Sequence, residues 1–177
     1  LCSGSATLDL TGELVYVGPG NRDAFYEGKD VKGKFLLANG SPGAAQRLGV
    51  EKFGALGVVA YGSSHPEFDP DEVGWSSISN AEGMKPALGF MVSTRQGNDL
   101  RDALERGTKI TVRGVAKTQM VPYKDQMVEA VIPGAAYPEE ELVFTAHLFE
   151  GFAKQGANDN ISGCVSILET ARVLRKL

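Results

Sequence analysis

This chain of 177 residues lacks basic clusters, long apolar runs and closely spaced cysteines. Its formal net charge is −4, and no stretch concentrates lysine and arginine, so it has no basic surface of the kind that nucleic-acid binding requires. No apolar run approaches the roughly 18 residues of a membrane span. We therefore expect neither a nucleic-acid partner nor a membrane span in this chain.

Cysteine is nearly absent, since Cys2 and Cys164 are the two in the sequence and lie near its opposite ends. Neither belongs to a CxxC pair or to the Cys/His spacing of a structural zinc site, so we expect both thiols to be unpaired. The chain starts with Leu1 and not with methionine, and we expect that an N-terminal piece precedes it.

The first two thirds of the sequence alternate between short apolar runs and amphipathic stretches. Ser41 followed by Pro42 predicts a helix start, and Ser93 is a plausible cap for a second helix that ends at Gly107. The pattern predicts helices over 42–53 and from Ser93 to Gly107, and strands over 14–17, 35–38, 57–61, 87–92 and 108–115. This order of elements predicts the α/β class.

Residues 62–86 show no stable period and are predicted to form a long surface loop. His65 precedes a proline in this loop and is interpreted as a solvated side chain. Trp75 is predicted to pin the loop onto the core, although it could instead be an anchor for a contact with a partner.

A polar stretch over 116–126 predicts a domain boundary. Beyond it, strands are predicted over 127–132 and 141–146, and a helix from about Ile161 to the end. Two strands and one helix cannot bury both faces of a sheet, so we expect further elements to follow in the native protein.

The two most notable polar side chains of this last part are His147 and Asp159. His147 follows a predicted strand, and Asp159 opens the next predicted helix. Both therefore lie at the carboxyl end of the strand, where open α/β sheets bind their ligands. The residues alone favour a helix cap for Asp159 and a structural or solvated side chain for His147.

Two stretches of the first part resemble the protease-associated (PA) domain: DVKGKFLL at 30–37 and FGALGVVAY at 53–61. Residues 87–115 are similar to the final strand, helix and strand of that domain. The resemblance implies mixed β-sheets with flanking helices over residues 1–123, and a role in substrate access or protein contact.

Three later stretches resemble the start of the M28 family of zinc aminopeptidases: VEAVIPG at 128–134, VFTAH at 143–147 and GANDNISG at 156–163. The resemblance implies that residues 124–177 are the incomplete N-terminal part of an α/β zinc-peptidase unit. It implies a secreted or periplasmic hydrolase that uses two zinc ions to remove N-terminal residues from peptide or protein substrates. The resemblance also implies that His147 binds one of the two zinc ions and that Asp159 bridges both.

The sequence departs from the family pattern beside His147. The family usually has Asp two residues after this histidine, and Phe149 stands there. We interpret Glu150 as taking over the task of orienting the metal-binding side chain of His147 from beside it. Asn158 and Asn160 are predicted to hold the metal-binding loop, since Asn tolerates turn conformations.

Three functions stay open at this point. The first is a fragment of a zinc aminopeptidase that is inactive by itself, because the general base and the remaining zinc ligands would lie beyond residue 177. The second is a non-catalytic PA-domain receptor or binding module with a degenerate peptidase domain. The third is a small α/β domain that is complete and binds an unknown ligand.

Overall fold

The computed structural model describes residues 1–63, 65–150 and 155–176. The chain forms two compact units, Leu1–Met120 and Val121–Leu177. Among the described residues, no helix combines the length and the apolar character needed to cross a membrane. The first unit contains the sheet, and the second contains His147 and Asp159.

The first unit is built on one mixed β-sheet. Its strands are β1 (Leu8–Tyr16), β2 (Phe35–Ala38), β3 (Gly57–Tyr61), β4 (Leu88–Val92) and β5 (Thr111–Ala116). They lie in the order β4-β3-β2-β1-β5, in which β1 to β4 pair in parallel and β5 pairs antiparallel with β1. This mixed sheet with helices confirms the predicted α/β class.

The central strands are buried on both faces. In β2, Phe35 and Leu37 pack into one apolar cluster, while Leu36 and Ala38 pack into another on the opposite face. Side chains alternate between the faces of a strand, so a strand that is apolar throughout must be covered on both sides. The bounds predicted for β2 and β3 agree with the structure. By contrast, β1 begins six residues before the predicted strand over 14–17.

The first helix, α1 (Pro42–Ala45), begins where the sequence predicts, with the Ser41 hydroxyl accepting from the amide of Ala44 at 3.4 Å. The predicted helix over 42–53 is not uniform, because the backbone becomes π-helical over Gln46–Val50. The buried Gln46 amide bonds the backbone of Ser79 in both directions at 2.7 Å. The helix is thereby tied to the long loop.

The second helix, α2 (Thr94–Glu105), starts with a complete capping box. The Ser93 hydroxyl accepts from the amide of Gln96 at 3.2 Å, and the Gln96 side chain accepts from the amide of Ser93 at 3.3 Å. Gly107 follows the helix with φ of +86°, a conformation that favours glycine.

Replacing Ser93 with alanine should lower the free energy of unfolding by about 1 kcal/mol, because it leaves an amide of the first turn of α2 without its acceptor. Ser93→Gly should cost only a few tenths of a kcal/mol, since glycine is tolerated at this position. Urea denaturation followed by circular dichroism measures both. Equal losses for the two variants would contradict a capping role.

In the loop between β3 and β4, the buried apolar side chain is that of Ile78 and not that of Trp75. Trp75 is 64% exposed, so the prediction that it pins the loop is wrong. Ile78 is buried instead, and its amide donates to the Ser3 carbonyl at 2.9 Å, beside a backbone bridge between Ser3 and Ser77. These bonds to the N-terminal segment draw residue 78 inward.

The second unit has one regular element among its described residues, the helix α3 (Ile161–Leu174). It confirms the predicted C-terminal helix. The predicted strands over 127–132 and 141–146 are wrong, because neither segment forms a strand, and their side chains are exposed except for that of Ala146. An apolar run becomes a strand only when its amides and carbonyls pair with a neighbour. The described residues of this unit supply no such neighbour.

Candidate metal centre

The ring of His147 is held between a backbone carbonyl and a carboxylate. Its Nδ1 lies 2.7 Å from the carbonyl oxygen of Phe149, and its Nε2 lies 3.0 Å from Oδ1 of Asp159. A carbonyl can only accept, so Nδ1 carries a proton and donates to Phe149. This contact fixes the ring orientation and directs Nε2 toward Asp159.

Asp159 reaches this position from the turn that precedes α3. Gly156 begins the turn with φ of +69°, a conformation that favours glycine, and its carbonyl accepts from the amide of Ile161 at 3.0 Å. Asn160 is the N-cap residue, and the peptide bond between Asp159 and Asn160 is cis. The closed turn places the Asp159 carboxylate beside the helix start.

The first turn of α3 also contacts the segment that contains His147. The thiol of Cys164 donates to the His147 carbonyl oxygen at 3.4 Å, and the amide of Cys164 donates to the Asn160 carbonyl at 3.1 Å. One residue of α3 therefore bonds both parts of the chain that supply the side chains of the site.

Glu150 is the third titratable group of the cluster. One nitrogen of His147, one oxygen of Glu150 and one oxygen of Asp159 all lie within 4.8 Å of one another. The side chains of His147 and Asp159 are 42% and 65% exposed. The cluster is therefore open to solvent, as an entry path for an ion requires.

The surroundings of the ring favour its charged form. The hydrogen bond to the Phe149 carbonyl raises the pKa of His147 most, and the contact with Asp159 and the charge of Glu150 raise it further, while burial opposes them. The carboxylates of Asp159 and Glu150 thus favour positive charge near the ring, which a proton or a metal ion can supply.

The donor set fits a zinc ion. Zinc is bound in proteins by His nitrogen and by Asp or Glu oxygen, and catalytic zinc commonly has three protein ligands. His147, Glu150 and Asp159 offer one imidazole and two carboxylates. A second-shell carbonyl on the other ring nitrogen, as Phe149 supplies, is the usual support of a metal-binding histidine.

Asn158 and Asn160 contact the helix start through their backbone. The Asn158 carbonyl accepts from the Ser162 hydroxyl, and the Asn160 carbonyl accepts from Cys164. The Asn160 side chain lies over Gly163, where a Cβ atom would be only 2.2 Å from Oδ1. That both asparagines hold the metal-binding loop stays a prediction.

Comparisons with known proteins match a family model to part of the second unit and a solved structure to a longer share of the chain. Residues 128–177 match Peptidase family M28. A similar solved structure is the aminopeptidase from Aneurinibacillus sp. strain AM-1, with 28% identity and a TM-score of 0.45. The similar region covers 60% of this chain and 24% of that chain, so this chain spans about a quarter of that aminopeptidase. No curated protein matches the chain.

Two contacts in the M28-like segment, residues 128–177, were missed by sequence reasoning. The Phe149 carbonyl accepts a hydrogen bond from the His147 ring, and the thiol of Cys164 donates to the His147 carbonyl. Any residue offers a carbonyl, so the first contact left no signal in the sequence. The second had a weak signal, because Cys164 is on the apolar stripe of α3, four residues after Asn160.

Proposed function

We propose that this chain supplies part of the metal centre of a zinc-dependent aminopeptidase, in which His147 binds one zinc ion and Asp159 bridges two. The observation that carries the proposal is the 3.0 Å separation of His147 Nε2 and Asp159 Oδ1 within a segment that matches Peptidase family M28. Peptidases of this family are generally zinc-dependent.

Zinc, when bound, would polarise the scissile carbonyl and lower the pKa of a bound water. The residues of this chain would prepare that position. Phe149 holds the proton on Nδ1, which leaves Nε2 for the metal, and the turn that starts at Gly156 carries Asp159 to the same place. Glu150 would add negative charge beside the ion.

We also propose that residues 1–177 by themselves have no peptidase activity. Hydrolysis by this class of enzyme needs a general base and enough ligands for two ions. In the described ranges, one group of His, Cys, Asp and Glu side chains has metal-site geometry, and it contains three residues. We assign no catalytic residue to this chain. A secreted or periplasmic location follows from the family resemblance alone and stays a prediction.

The first unit would act as a PA domain that controls substrate access or contacts a protein. The support is the loop between β3 and β4, where Phe68 and Trp75 are 84% and 64% exposed. Large exposed aromatic side chains are enriched at contact surfaces. Peptide or protein substrates are the partners that we propose, because residues 128–177 match a peptidase family.

A second candidate function is a non-catalytic receptor or binding module. Phe149 favours it, because this residue stands where the resembled family usually has an aspartate, and its side chain is 73% exposed. In this alternative the cluster would be a remnant of a peptidase site, and the exposed aromatic loop would make the functional contact.

The test is an assay of the gene's full product, zinc-loaded, on aminoacyl-p-nitroanilides and on short peptides. Release of N-terminal residues, lost in Asp159→Asn, would support the aminopeptidase. Residues 1–177 alone should release nothing. A full product that binds zinc but cleaves no substrate would support the receptor instead. Full activity in Asp159→Asn would refute the proposed metal centre.

A further inference from the structure

The resemblance assigns no metal-binding role to Glu150, yet this residue lies in one cluster with His147 and Asp159. Its carboxylate is within 4.8 Å of the potential ligand atoms of His147 and Asp159. It is half-buried, and it follows Phe149, the residue whose carbonyl already occupies Nδ1 of His147. A residue that orients a metal-binding histidine does so through the ring nitrogen that does not bind the metal. In His147 that nitrogen, Nδ1, already contacts the Phe149 carbonyl.

The turn before α3 brings Glu150 close to Asp159. A Cβ atom placed on Gly156 would lie 3.5 Å from Cγ of Glu150 and 3.5 Å from the carbonyl oxygen of Asp159. The aliphatic part of Glu150 and the backbone of Asp159 therefore border the same space beside Gly156. A larger side chain at residue 156 would crowd both.

Distances within the cluster suit a common ion. Ligand atoms of one zinc ion lie about 3 to 4 Å apart, because each bond is about 2.0–2.2 Å long. Nε2 of His147 and Oδ1 of Asp159 are already 3.0 Å apart. A carboxylate oxygen of Glu150 lies within 4.8 Å of a potential ligand atom of each residue, and rotation about its three side-chain torsions would have to shorten that separation for the oxygen to share the ion.

We propose that Glu150 binds the same divalent cation directly, as a third protein ligand beside His147 and Asp159. This inference rests on the proposed metal centre and replaces the orienting role predicted for Glu150 from the sequence. The three residues would then form a three-ligand site for one cation within the second unit.

The direct measurement uses cobalt(II) as a spectroscopic substitute for zinc. In a Cys164→Ser background, Glu150→Cys should produce the near-ultraviolet thiolate-to-cobalt charge-transfer band, because a cysteine at a ligand position binds the metal as thiolate. Glu141→Cys in the same background is the matched control, since Glu141 is an exposed glutamate of the same unit outside the cluster. The control should give no such band.

Affinity provides the second measurement. Glu150→Gln should weaken zinc binding at least about 10-fold in calorimetric titration, while Glu141→Gln should leave it unchanged. Orienting residues also change affinity by about 10- to 100-fold, so the charge-transfer band separates a ligand from an orienting group. Bound cobalt without that band in Glu150→Cys would overturn the inference, and so would unchanged zinc affinity in Glu150→Gln.

Different results would refute the proposed metal centre and the proposed ligand role of Glu150. If His147→Ala and Asp159→Asn lose metal while the Glu150 variants keep wild-type behaviour, the proposed centre stands and the role of Glu150 falls. If His147→Ala and Asp159→Asn also bind metal as the wild type does, both fall together.

Discussion

Zinc affinity of residues 1–177 should fall by about 100-fold or more when His147 is replaced by alanine. The substitution removes the single nitrogen ligand of the cluster, and direct ligand loss is expected to reach or exceed the roughly 10- to 100-fold effect of second-shell changes. Asp159→Asn should cause a similar loss, because it removes a negative charge and leaves an amide, a weaker ligand. Isothermal titration calorimetry measures both constants.

His65→Ala is the matched control for the histidine. The chain has two histidines, and His65 lies in the loop of the first unit, with Nδ1 3.4 Å from a carboxylate oxygen of Glu67. Its replacement should leave zinc affinity unchanged. If His65→Ala lowered the affinity as much as His147→Ala did, the zinc would be bound at some other place than the proposed cluster.

Stability of the first unit should fall by about 1–3 kcal/mol when Gly97 is replaced by alanine. A Cβ atom at residue 97 would lie 2.0 Å from Cγ and 2.4 Å from Cβ of Tyr61, a side chain that is itself buried. An exposed glycine within a helix would show the opposite sign, since alanine there normally stabilises by about 1 kcal/mol. Urea denaturation followed by circular dichroism gives the difference.

Asp99→Ala in the same helix is the control, because Asp99 is exposed and its change should stay within about 0.5 kcal/mol. A Gly97→Ala chain more stable than the wild type would show that the helix moves away from β3 without cost. That outcome would contradict the close contact between α2 and Tyr61.

The parts of the fold that the sequence predicted well are those with local signals. Ser41 and Ser93 were identified as caps, and both bond the first turn of their helices. The bounds of β2 and β3 agree with the structure because strands buried on both faces are apolar throughout. Such signals need no knowledge of distant residues.

The parts that failed depend on pairing with distant residues. The first six residues of β1 alternate in exposure and are strand because β5 pairs with them in antiparallel register, from Leu8 opposite Ala116 to Glu13 opposite Thr111. Conversely, residues 127–132 and 141–146 have strand-like sequences but no pairing partner among the described residues. The local sequence therefore does not decide whether a segment becomes a strand. The presence of a second segment that pairs with its amides and carbonyls does.

The sequence indicates which two side chains approach each other, but not the backbone contact that supports one of them. The M28-like stretches predict His147 and Asp159 as metal ligands, and the structure places their side chains 3.0 Å apart. That they bind a metal stays a prediction. The carbonyl of Phe149, which sets the proton position on the ring, is independent of residue type. A sequence departure at residue 149 therefore need not remove the support of the histidine.

The central claim is that His147 and Asp159 share one cation, and zinc-edge X-ray absorption of the zinc-loaded chain tests it most directly. We expect one imidazole nitrogen at about 2.0–2.1 Å together with carboxylate oxygens, and loss of the imidazole signal in His147→Ala but not in His65→Ala. A zinc shell of oxygen alone in the wild type, or an imidazole signal that persists in His147→Ala, would contradict the claim.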